Sequence, residues 1–393
     1  MRKLGCSKPP AEGLLMKIVI DARMYGLEHA GIGRYVINLI DQIEKVDKEN
    51  DYFILLRKKY YSKLKFKNRR FKKILADEPH YSFAEQIILP IRLIKLKPDL
   101  VHFPHFNKPI FWQGRFILTI HDLIKHESKG AKTTTRWQPL YWLKYLAYKL
   151  VTRLAIRRAV KIIVPSKWWQ TQLVKKYNLS RGKIVVIYEG VSKAFLKPKA
   201  EGQKKDRLFK KYDLKKPFFI YTGSLYPHKN VAMLVEAIKR LRLQLVVVCS
   251  RSVFYQRFIG EVKKIKAEKW VNFAGFVPDE ELIVLYQEAE AFVLPSLLEG
   301  FGLIGLEAMA AGCPVIASKI PVLKEIYGPA ALYFDPKSTD ELVEKIRILV
   351  KNPKLKEKLK KLGFFQVRKY SWQKMAQETL IAYEDCLGLR PGE

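Results

Sequence analysis

The chain has 393 residues, of which 48% are hydrophobic, and its 73 Lys and Arg residues outnumber 38 Asp and Glu to give a formal net charge of +35. This length exceeds one ordinary hydrophobic core and suits two domains, and the apolar content excludes a chain that is disordered throughout. No charge-free stretch reaches about fifteen residues, so the sequence predicts no conventional membrane-spanning helix.

The predicted elements alternate between short apolar strands and helical patterns. A first series of strands is predicted at residues 17–20, 52–56, 100–103, 116–120, 161–164 and 184–187, and a second at 218–222, 245–249, 271–274, 291–294 and 314–317. Helices are predicted at residues 33–46, 137–159, 231–242 and 338–351. Nearly all-apolar strands alternating with helices indicate an α/β fold with two Rossmann-like, doubly wound parallel sheets.

The boundary between the two domains is predicted in residues 193–216, which are polar, rich in Lys and carry Pro198 and Gly202. We therefore assign residues 16–198 to an N-terminal domain and 199–370 to a C-terminal domain. Residues 1–15 are polar and contain Pro and Gly, and we interpret them as a disordered extension. Residues 371–387 have helical spacing beyond the last strand of the second domain, so this helix is free to pack back on the first domain.

The positive charge is concentrated in the first half of the chain. Residues 1–200 carry a net charge of +26 and residues 201–393 carry +9, and the densest stretch, residues 57–73, holds ten basic residues and no acidic one. Such charge attracts nucleic acid, an anionic membrane or an anionic nucleotide. Because no nucleic-acid-binding module is recognisable, we expect no nucleic-acid partner and predict that residues 57–73 face an anionic membrane surface.

The helix predicted at residues 137–159 combines aromatic and basic side chains, a composition that suits a membrane interface. We interpret its apolar side instead as packing on the sheet of the N-terminal domain. The four cysteines are scattered without metal-ligand spacing and no Asp-x-Asp pair occurs, so we expect no metal cofactor and interpret the cysteines as reduced, buried thiols.

Two glutamates near residue 300 form the strongest candidate site. A predicted strand ends near Leu294, Glu299 lies on the following loop, and a helix that contains Glu307 begins near Gly302. The N–H groups at the start of that helix suit a phosphate, and both carboxylates can accept hydrogen bonds from sugar hydroxyls. The alternative is an ordinary strand-turn-helix with glutamates on the surface. Against it, the helix around Glu307 consists mainly of small and apolar residues, which is unusual for a surface helix.

This segment resembles the Glu-(seven residues)-Glu motif of glycosyltransferase family 4, also called the group 1 glycosyltransferases. The resemblance implies the GT-B architecture, in which two Rossmann-like domains face a central cleft, with an N-terminal acceptor domain and a C-terminal donor domain. It also implies that Glu299 holds hydroxyls of the donor hexose and that Glu307 holds the ribose hydroxyls. The amides of Gly300, Phe301 and Gly302 would hold the diphosphate.

Two N-terminal stretches fit the same resemblance. Gly31 and Gly33 follow the first strand and resemble the family's glycine loop that approaches the donor phosphate, although a simple helix entry turn is the alternative. His121 follows an apolar strand, at the edge where parallel sheets bind ligands. The resemblance places His121 beside the anomeric carbon and implies that Asp122 orients it or the acceptor.

The turn after the first strand of the second domain completes the resemblance. Lys229 resembles the family's cation on the donor diphosphate, whose negative charge grows as the bond to the sugar breaks. The commonest family pattern has Arg at the position of Ser224, but many mannosyl-type members have Ser or Thr there. Neutralisation of the diphosphate charge therefore rests on Lys229 and backbone amides. Glu189 stands where the family usually has Asn at the end of the N-terminal domain, and we assign it no role.

The resemblance implies a retaining hexosyltransferase of cell-surface polysaccharide assembly that transfers sugar from a nucleotide donor to a glycan or lipid-linked acceptor. GDP-mannose is favoured over UDP-glucose or another UDP-hexose, and front-face attack needs neither a metal nor a covalent nucleophile. We expect a cytoplasmic protein held peripherally at the inner face of the cell membrane. An inverting transferase, a phosphorylase or a sugar-nucleotide epimerase on the same architecture stays an alternative, as does a basic nucleic-acid-binding protein.

Overall fold

The computed structural model describes residues 15–124, 138–196, 203–249 and 253–388. The chain divides into two compact units. Unit 1 comprises Met1–Asp122, Arg136–Glu189 and Trp372–Glu393, and unit 2 comprises Leu123–Thr135 and Gly190–Ser371. Of the predicted extension, only Leu15 lies within the described residues.

Unit 1 contains a seven-stranded, all-parallel sheet in the order β3-β2-β1-β4-β5-β6-β7. Its strands are β1 (Lys17–Asp21), β2 (Asp51–Leu56), β3 (Phe71–Leu75), β4 (Leu100–Phe103), β5 (Phe116–Thr119), β6 (Lys161–Val164) and β7 (Ile184–Val186). Within β1, Val19 pairs with Phe53 on one side and with Val101 on the other. The strand order therefore reverses direction at β1, which is where doubly wound sheets bind ligands.

The helices of unit 1 cover this sheet. They include α1 (Ala30–Val46), α2 (Lys58–Tyr61), α3 (Phe83–Leu96), α4 (Gln138–Arg158) and α5 (Lys167–Tyr177). Trp137, which we predicted as the start of α4, lies outside the described residues. Within α4, Ala155 and Ile156 are buried whereas Leu146 and Leu150 are exposed, so only part of its apolar surface packs inward.

Unit 2 contains a six-stranded, all-parallel sheet in the order β10-β9-β8-β11-β12-β13. Its strands are β8 (Phe218–Thr222), β9 (Gln244–Val248), β10 (Val271–Gly275), β11 (Phe292–Leu294), β12 (Val315–Ser318) and β13 (Ala331–Phe334). The helices that follow residue 202 are α6 (Gln203–Lys211), α7 (Val231–Leu241), α8 (Val253–Lys264), α9 (Asp279–Glu288), α10 (Leu303–Ala310), α11 (Pro321–Tyr327), α12 (Thr339–Lys351), α13 (Pro353–Val367) and α14 (Trp372–Leu387). The α/β class with two doubly wound parallel sheets is confirmed.

Helix α14 belongs to unit 1, where it packs against α1 and β4. The Tyr383 hydroxyl lies 2.6 Å from Nδ1 of His102 on β4, and the other ring nitrogen of His102 lies 2.7 Å from Oγ1 of Thr119. Burial lowers the pKa of His102 to about 3, so the ring is neutral at ordinary pH. A neutral ring suits this position, because each hydroxyl can either donate or accept.

Two strands, β3 and β13, were not predicted. Each lies at an edge of its sheet, and the β3 sequence Phe-Lys-Lys-Ile-Leu is only partly buried. An edge strand faces solvent along one side and therefore tolerates polar residues. These residues interrupt the apolar pattern by which a strand is recognised in a sequence. The basic stretch 57–73 thus contains α2 and the start of β3 as folded elements. Among the described residues, no helix is both long and apolar enough to cross a membrane.

Candidate functional site

The centre of the candidate site in unit 2 is an ion pair between Lys229 and Glu299. Both lie beyond the carboxyl ends of neighbouring strands, since β8 leads to the 3₁₀ turn Pro227–Lys229 and β11 leads to the loop that carries Glu299. The Lys229 Nζ atom lies 2.8 Å from one carboxylate oxygen of Glu299 and 2.9 Å from the other. Both side chains are largely shielded from solvent, so each charge depends on its partner.

Two further hydrogen bonds hold this pair in place. The Ser296 hydroxyl donates to Oε1 of Glu299 at 2.6 Å, and the backbone N–H of Leu297 donates to the carbonyl oxygen of His228 at 2.8 Å. The second bond joins the two loops directly. The proximity of these two loops follows from the strand order, in which β8 and β11 are neighbours, whereas the direct contact of the two side chains does not.

His228, next to Lys229, carries no charge at neutral pH. Burial, and then the Lys229 charge, lowers the pKa of His228 to about 4, although the Glu299 carboxylate opposes this shift. The imidazole stacks on the Tyr226 ring with centroids 5.8 Å apart. Lys229 therefore supplies the positive charge of this turn.

The start of α10 is built around Gly302 and Tyr327. Gly302 has φ +89°, in the left-handed region, and a Cβ atom there would lie 2.6 Å from the Tyr327 hydroxyl. That hydroxyl donates to the Gly302 carbonyl at 2.5 Å. Because glycine provides no side-chain cap, the first N–H groups of α10 are suited to an anion.

Glu307 and Phe301 are buried on either side of this helix start, and Gly300 is half-buried. Glu307 is 3% exposed within an almost completely buried α10, and the Phe301 ring packs edge-on against Tyr370 at 5.5 Å. The alternative of two surface glutamates is therefore wrong, because Glu299 and Glu307 are both buried. Ser224 is half-buried, and its backbone carbonyl accepts a hydrogen bond from the Tyr221 hydroxyl at 2.6 Å.

In unit 1, His121 is enclosed by three neighbours. Its Nδ1 atom lies 3.0 Å from a carboxylate oxygen of Glu189, and its Nε2 atom lies 3.0 Å from the carbonyl oxygen of Pro104. The Tyr35 ring contacts the imidazole edge-on at 4.7 Å. Asp122 follows in a half-buried position. In the sequence, Glu189 was noted only as a departure from a motif. Its contact with His121 was not predicted.

The two glycines of the N-terminal loop have different surroundings. A Cβ atom at Gly33 would lie 1.8 Å from the carbonyl oxygen of Gly26, so glycine is required there for close backbone approach. Gly31 is exposed, and a Cβ atom there would meet nothing within 4 Å. Both lie in the first turn of α1. Close packing therefore explains why residue 33 is glycine. No such contact requires glycine at residue 31, where the surface of the turn is exposed.

The structure brings Lys229 and Glu299 together in unit 2 and places His121 beside Glu189 in unit 1. Ser296 supports the first group and Tyr327 supports the turn at Gly302, and neither residue was predicted. Within the described parts of the chain, no three His, Cys, Asp or Glu side chains come together in a group that could hold a metal ion.

Two Rossmann-like units, with buried glutamates and a lysine at the carboxyl edge of the second sheet, fit the GT-B class of sugar-transferring enzymes. The family description "Glycosyl transferases group 1" matches residues 203–364, and "Glycosyltransferase Family 4" matches residues 30–195. Together the two matches cover most of the chain. The protein belongs to glycosyltransferase family 4, the group 1 glycosyltransferases, and is a glycosyltransferase.

Individual relatives agree with this assignment. The chain is 26% identical to the O-antigen chain mannosyltransferase B of Escherichia coli, over 94% of this chain and 100% of that protein. It is 28% identical to the O-antigen chain mannosyltransferase RfbU of Salmonella typhimurium, over 58% of this chain and 62% of that one. The fold is similar to that of sucrose-phosphate synthase from Thermosynechococcus elongatus, with a TM-score of 0.76, 20% identity and coverage of 95% and 99% of the two chains.

Proposed function

We propose that this glycosyltransferase moves mannose from GDP-mannose to a glycan or lipid-linked acceptor in surface-polysaccharide assembly, with retention of anomeric configuration. The observation that carries the proposal is the Lys229–Glu299 pair at the carboxyl edge of the unit 2 sheet. It combines a cation for a diphosphate with a carboxylate for sugar hydroxyls. The two O-antigen mannosyltransferases among the relatives support mannose and this pathway class.

The donor would be held by groups of unit 2. The N–H groups around Gly300, Phe301 and Gly302 would bind the diphosphate, since a helix N-terminus attracts anions. Glu307 would accept hydrogen bonds from the ribose hydroxyls. On donor binding, Lys229 would give up part of its contact with Glu299 and approach the phosphate. The carboxylate oxygens of Glu299 would then accept hydrogen bonds from the hexose hydroxyls.

The reaction proposed is a front-face substitution. The acceptor oxygen bonds to the anomeric carbon while the bond from that carbon to the phosphate oxygen breaks on the same face. The departing phosphate oxygen takes the proton of the acceptor hydroxyl, so the products are the glycoside and the nucleoside diphosphate. Lys229 and the amides would stabilise the charge that develops on the phosphate. In unit 1 we propose that His121 takes part in the transfer and that Asp122 orients His121 or the acceptor. We also propose that Gly31 approaches the donor phosphate.

Further parts of the proposal concern partners and location. We propose a metal-independent reaction in which Lys229 and amides serve in place of a divalent ion, and no nucleic-acid partner. We also propose that the protein works in the cytoplasm, held peripherally at the inner face of the cell membrane. The charge of +26 in residues 1–200 supports attraction to an anionic leaflet.

The decisive experiment is a donor panel. Purified protein is heated with GDP-mannose, UDP-glucose and other nucleotide sugars, and a ligand at one hundred times its Kd should add about 2.7 kcal/mol of stability. The transferred sugar's anomeric configuration is then read by NMR. Lys229→Ala should lower kcat/KM by about 30- to 1000-fold, equivalent to ~2–4 kcal/mol, whereas the control Lys351→Ala, at an exposed position of α12, should not. An inverted product, or native transfer by Lys229→Ala, would contradict the proposal.

A further inference from the structure

Helix α3 presents an apolar face to solvent. Phe83 is 90% exposed, Ile94 62% and Ile87 58%, and Ile88 and Ile91 are also exposed. Single exposed apolar residues are normal on proteins, but a contiguous group of this kind marks an interaction surface.

These side chains share one face of the helix. At 3.6 residues per turn, the five residues lie within an arc of about 140°, and Lys95 is the only charged residue in that arc. We call this group, formed by Phe83, Ile87, Ile88, Ile91 and Ile94, the α3 stripe.

The rotation of α3 about its axis is fixed by its opposite face. Glu85 on that face is fully buried, with Arg23 Nη2 2.7 Å from one carboxylate oxygen and the Asn107 amide within 2.9 Å of both. Leu89 and Leu93 are buried beside it. Turning the α3 stripe inward would expose these leucines and separate a buried ion pair, so the stripe stays on the surface.

The surroundings of the stripe extend it and give it positive charge. Phe111, 65% exposed, lies next to Ile110, whose N–H donates to Gln86 of α3 at 2.7 Å. Lys95 and Lys97 are exposed at the end of the helix. Within α3 the sole acidic residue is the buried Glu85. The exposed face is therefore apolar with a basic margin.

We propose that the α3 stripe docks on an anionic lipid bilayer, with its Phe and Ile side chains below the headgroups and with Lys95 and Lys97 against lipid phosphates. A helix with one broad apolar face and basic residues beside it lies in the plane of a membrane interface. The excess charge of residues 1–200 complements an anionic surface and favours this occupant over a protein partner.

This surface is distinct from the basic stretch 57–73 that the sequence suggested. Several cations of that stretch already have partners, since Lys59 pairs with Glu28, Arg70 with Asp51, and Lys73 donates to backbone carbonyls. Purely electrostatic attachment is lost at high salt, whereas buried apolar side chains are not released by screening. The two modes of attachment therefore differ in salt dependence.

The test is flotation of the full chain with vesicles of phosphatidylcholine alone and of equal parts phosphatidylcholine and phosphatidylglycerol, at low salt and at about 0.5 M salt. The stripe variant is Phe83→Ser/Ile87→Ser/Ile91→Ser. Its control, Phe276→Ser/Phe365→Ser/Ile348→Ser, removes three exposed apolar side chains from unit 2. A third variant changes Lys63, Lys65, Lys67, Arg69 and Arg70 to Gln.

We expect the wild type and the control to float with anionic vesicles at both salt concentrations. The stripe variant should lose at least about 10-fold in bound fraction at high salt, and the Gln variant should lose binding chiefly at low salt. Unchanged flotation of the stripe variant, or an equal loss in the control, would overturn the proposal. So would sedimentation showing that the wild type is a dimer and the stripe variant a monomer, with vesicle binding unchanged.

The proposal does not rest on the donor chemistry. Transfer to a water-soluble acceptor should be unchanged in the stripe variant, whose circular dichroism and unfolding midpoint confirm that it folds. Conversely, Lys229→Ala should float like the wild type. Flotation therefore tests the membrane proposal, and sugar transfer tests the proposed function, so that the failure of one can be distinguished from the failure of the other.

Discussion

His121 lies between two groups that accept hydrogen bonds, with Nδ1 3.0 Å from a carboxylate oxygen of Glu189 and Nε2 3.0 Å from the Pro104 carbonyl oxygen. A carbonyl can only accept, so Nε2 carries a hydrogen. The contact with Glu189 then needs one more proton, held by the ring or by the carboxyl group. His102, one strand away, instead meets two hydroxyls and needs no such proton.

Replacement of Glu189 by Gln should impair transfer more than donor binding. The amide would hydrogen-bond to Nδ1 but could neither bind the extra proton nor balance a ring charge, so a charge-assisted contact is lost. We expect kcat to fall about 10- to 100-fold, equivalent to ~1.5–3 kcal/mol, with little change in donor KM. Steady-state kinetics and thermal unfolding check this. A lower unfolding midpoint with an unchanged kcat would show that Glu189 serves the fold alone.

Lys229 and Glu299 should show strong energetic coupling in a double-mutant cycle. Lys229→Ala leaves the buried Glu299 carboxylate without its cation and should cost about 1–3 kcal/mol of unfolding free energy. The double variant Lys229→Ala/Glu299→Gln should recover part of this cost, because the buried charge is gone. Urea unfolding measures all four proteins. Additive losses would mean that the contact contributes nothing to stability.

Gly302→Ala should destabilise unit 2. Alanine is strained at φ +89°, and its Cβ atom would also clash with the Tyr327 hydroxyl. We expect a cost of about 1–3 kcal/mol in urea unfolding, together with weaker donor binding because the start of α10 must shift. Gly260→Ala in α8 is the control, since a Cβ atom there meets nothing within 4 Å, and it should be neutral or slightly stabilising. Equal effects at both positions would refute this explanation.

His102 should make stability pH-dependent in the acid range. Its pKa is about 3 in the folded protein, against 6.5 for the ordinary side chain, so between these values only the unfolded chain binds a proton there. Its contribution is complete above pH 6.5 and is lost as pH falls, by about 1.4 kcal/mol per pH unit. The difference between the wild type and His102→Gln, measured by chemical unfolding from pH 7 to 4, should isolate this slope. Parallel pH curves would contradict the prediction.

Removal of divalent metal should leave turnover nearly unchanged. The proposed mechanism assigns neutralisation of the diphosphate to Lys229 and to backbone amides, so it requires no ion at the leaving group. Initial rates with EDTA, compared with rates in added Mg²⁺ or Mn²⁺, are the measurement. A strict requirement for either ion would count against the mechanism.

Local patterns in the sequence determined much of the fold. Buried strands such as β4, β6 and β8 are mostly apolar, and their bounds were predicted because period and composition are properties of a few consecutive residues. The Glu299 to Glu307 spacing likewise identified the family, since a motif is read along the chain. The edge strand β3 was not predicted because two consecutive Lys residues interrupt its apolar pattern.

Contacts between residues distant in sequence were decided by the tertiary structure alone. Glu189 meets His121 across 68 residues, and Tyr383 meets His102 across 281, and neither separation leaves a trace in local periodicity. No helix was predicted over the residues of α3. The burial of Glu85 against Arg23, together with that of Leu89 and Leu93, turns the α3 stripe to solvent, because a buried charge must meet its partner wherever the rest of the chain places it.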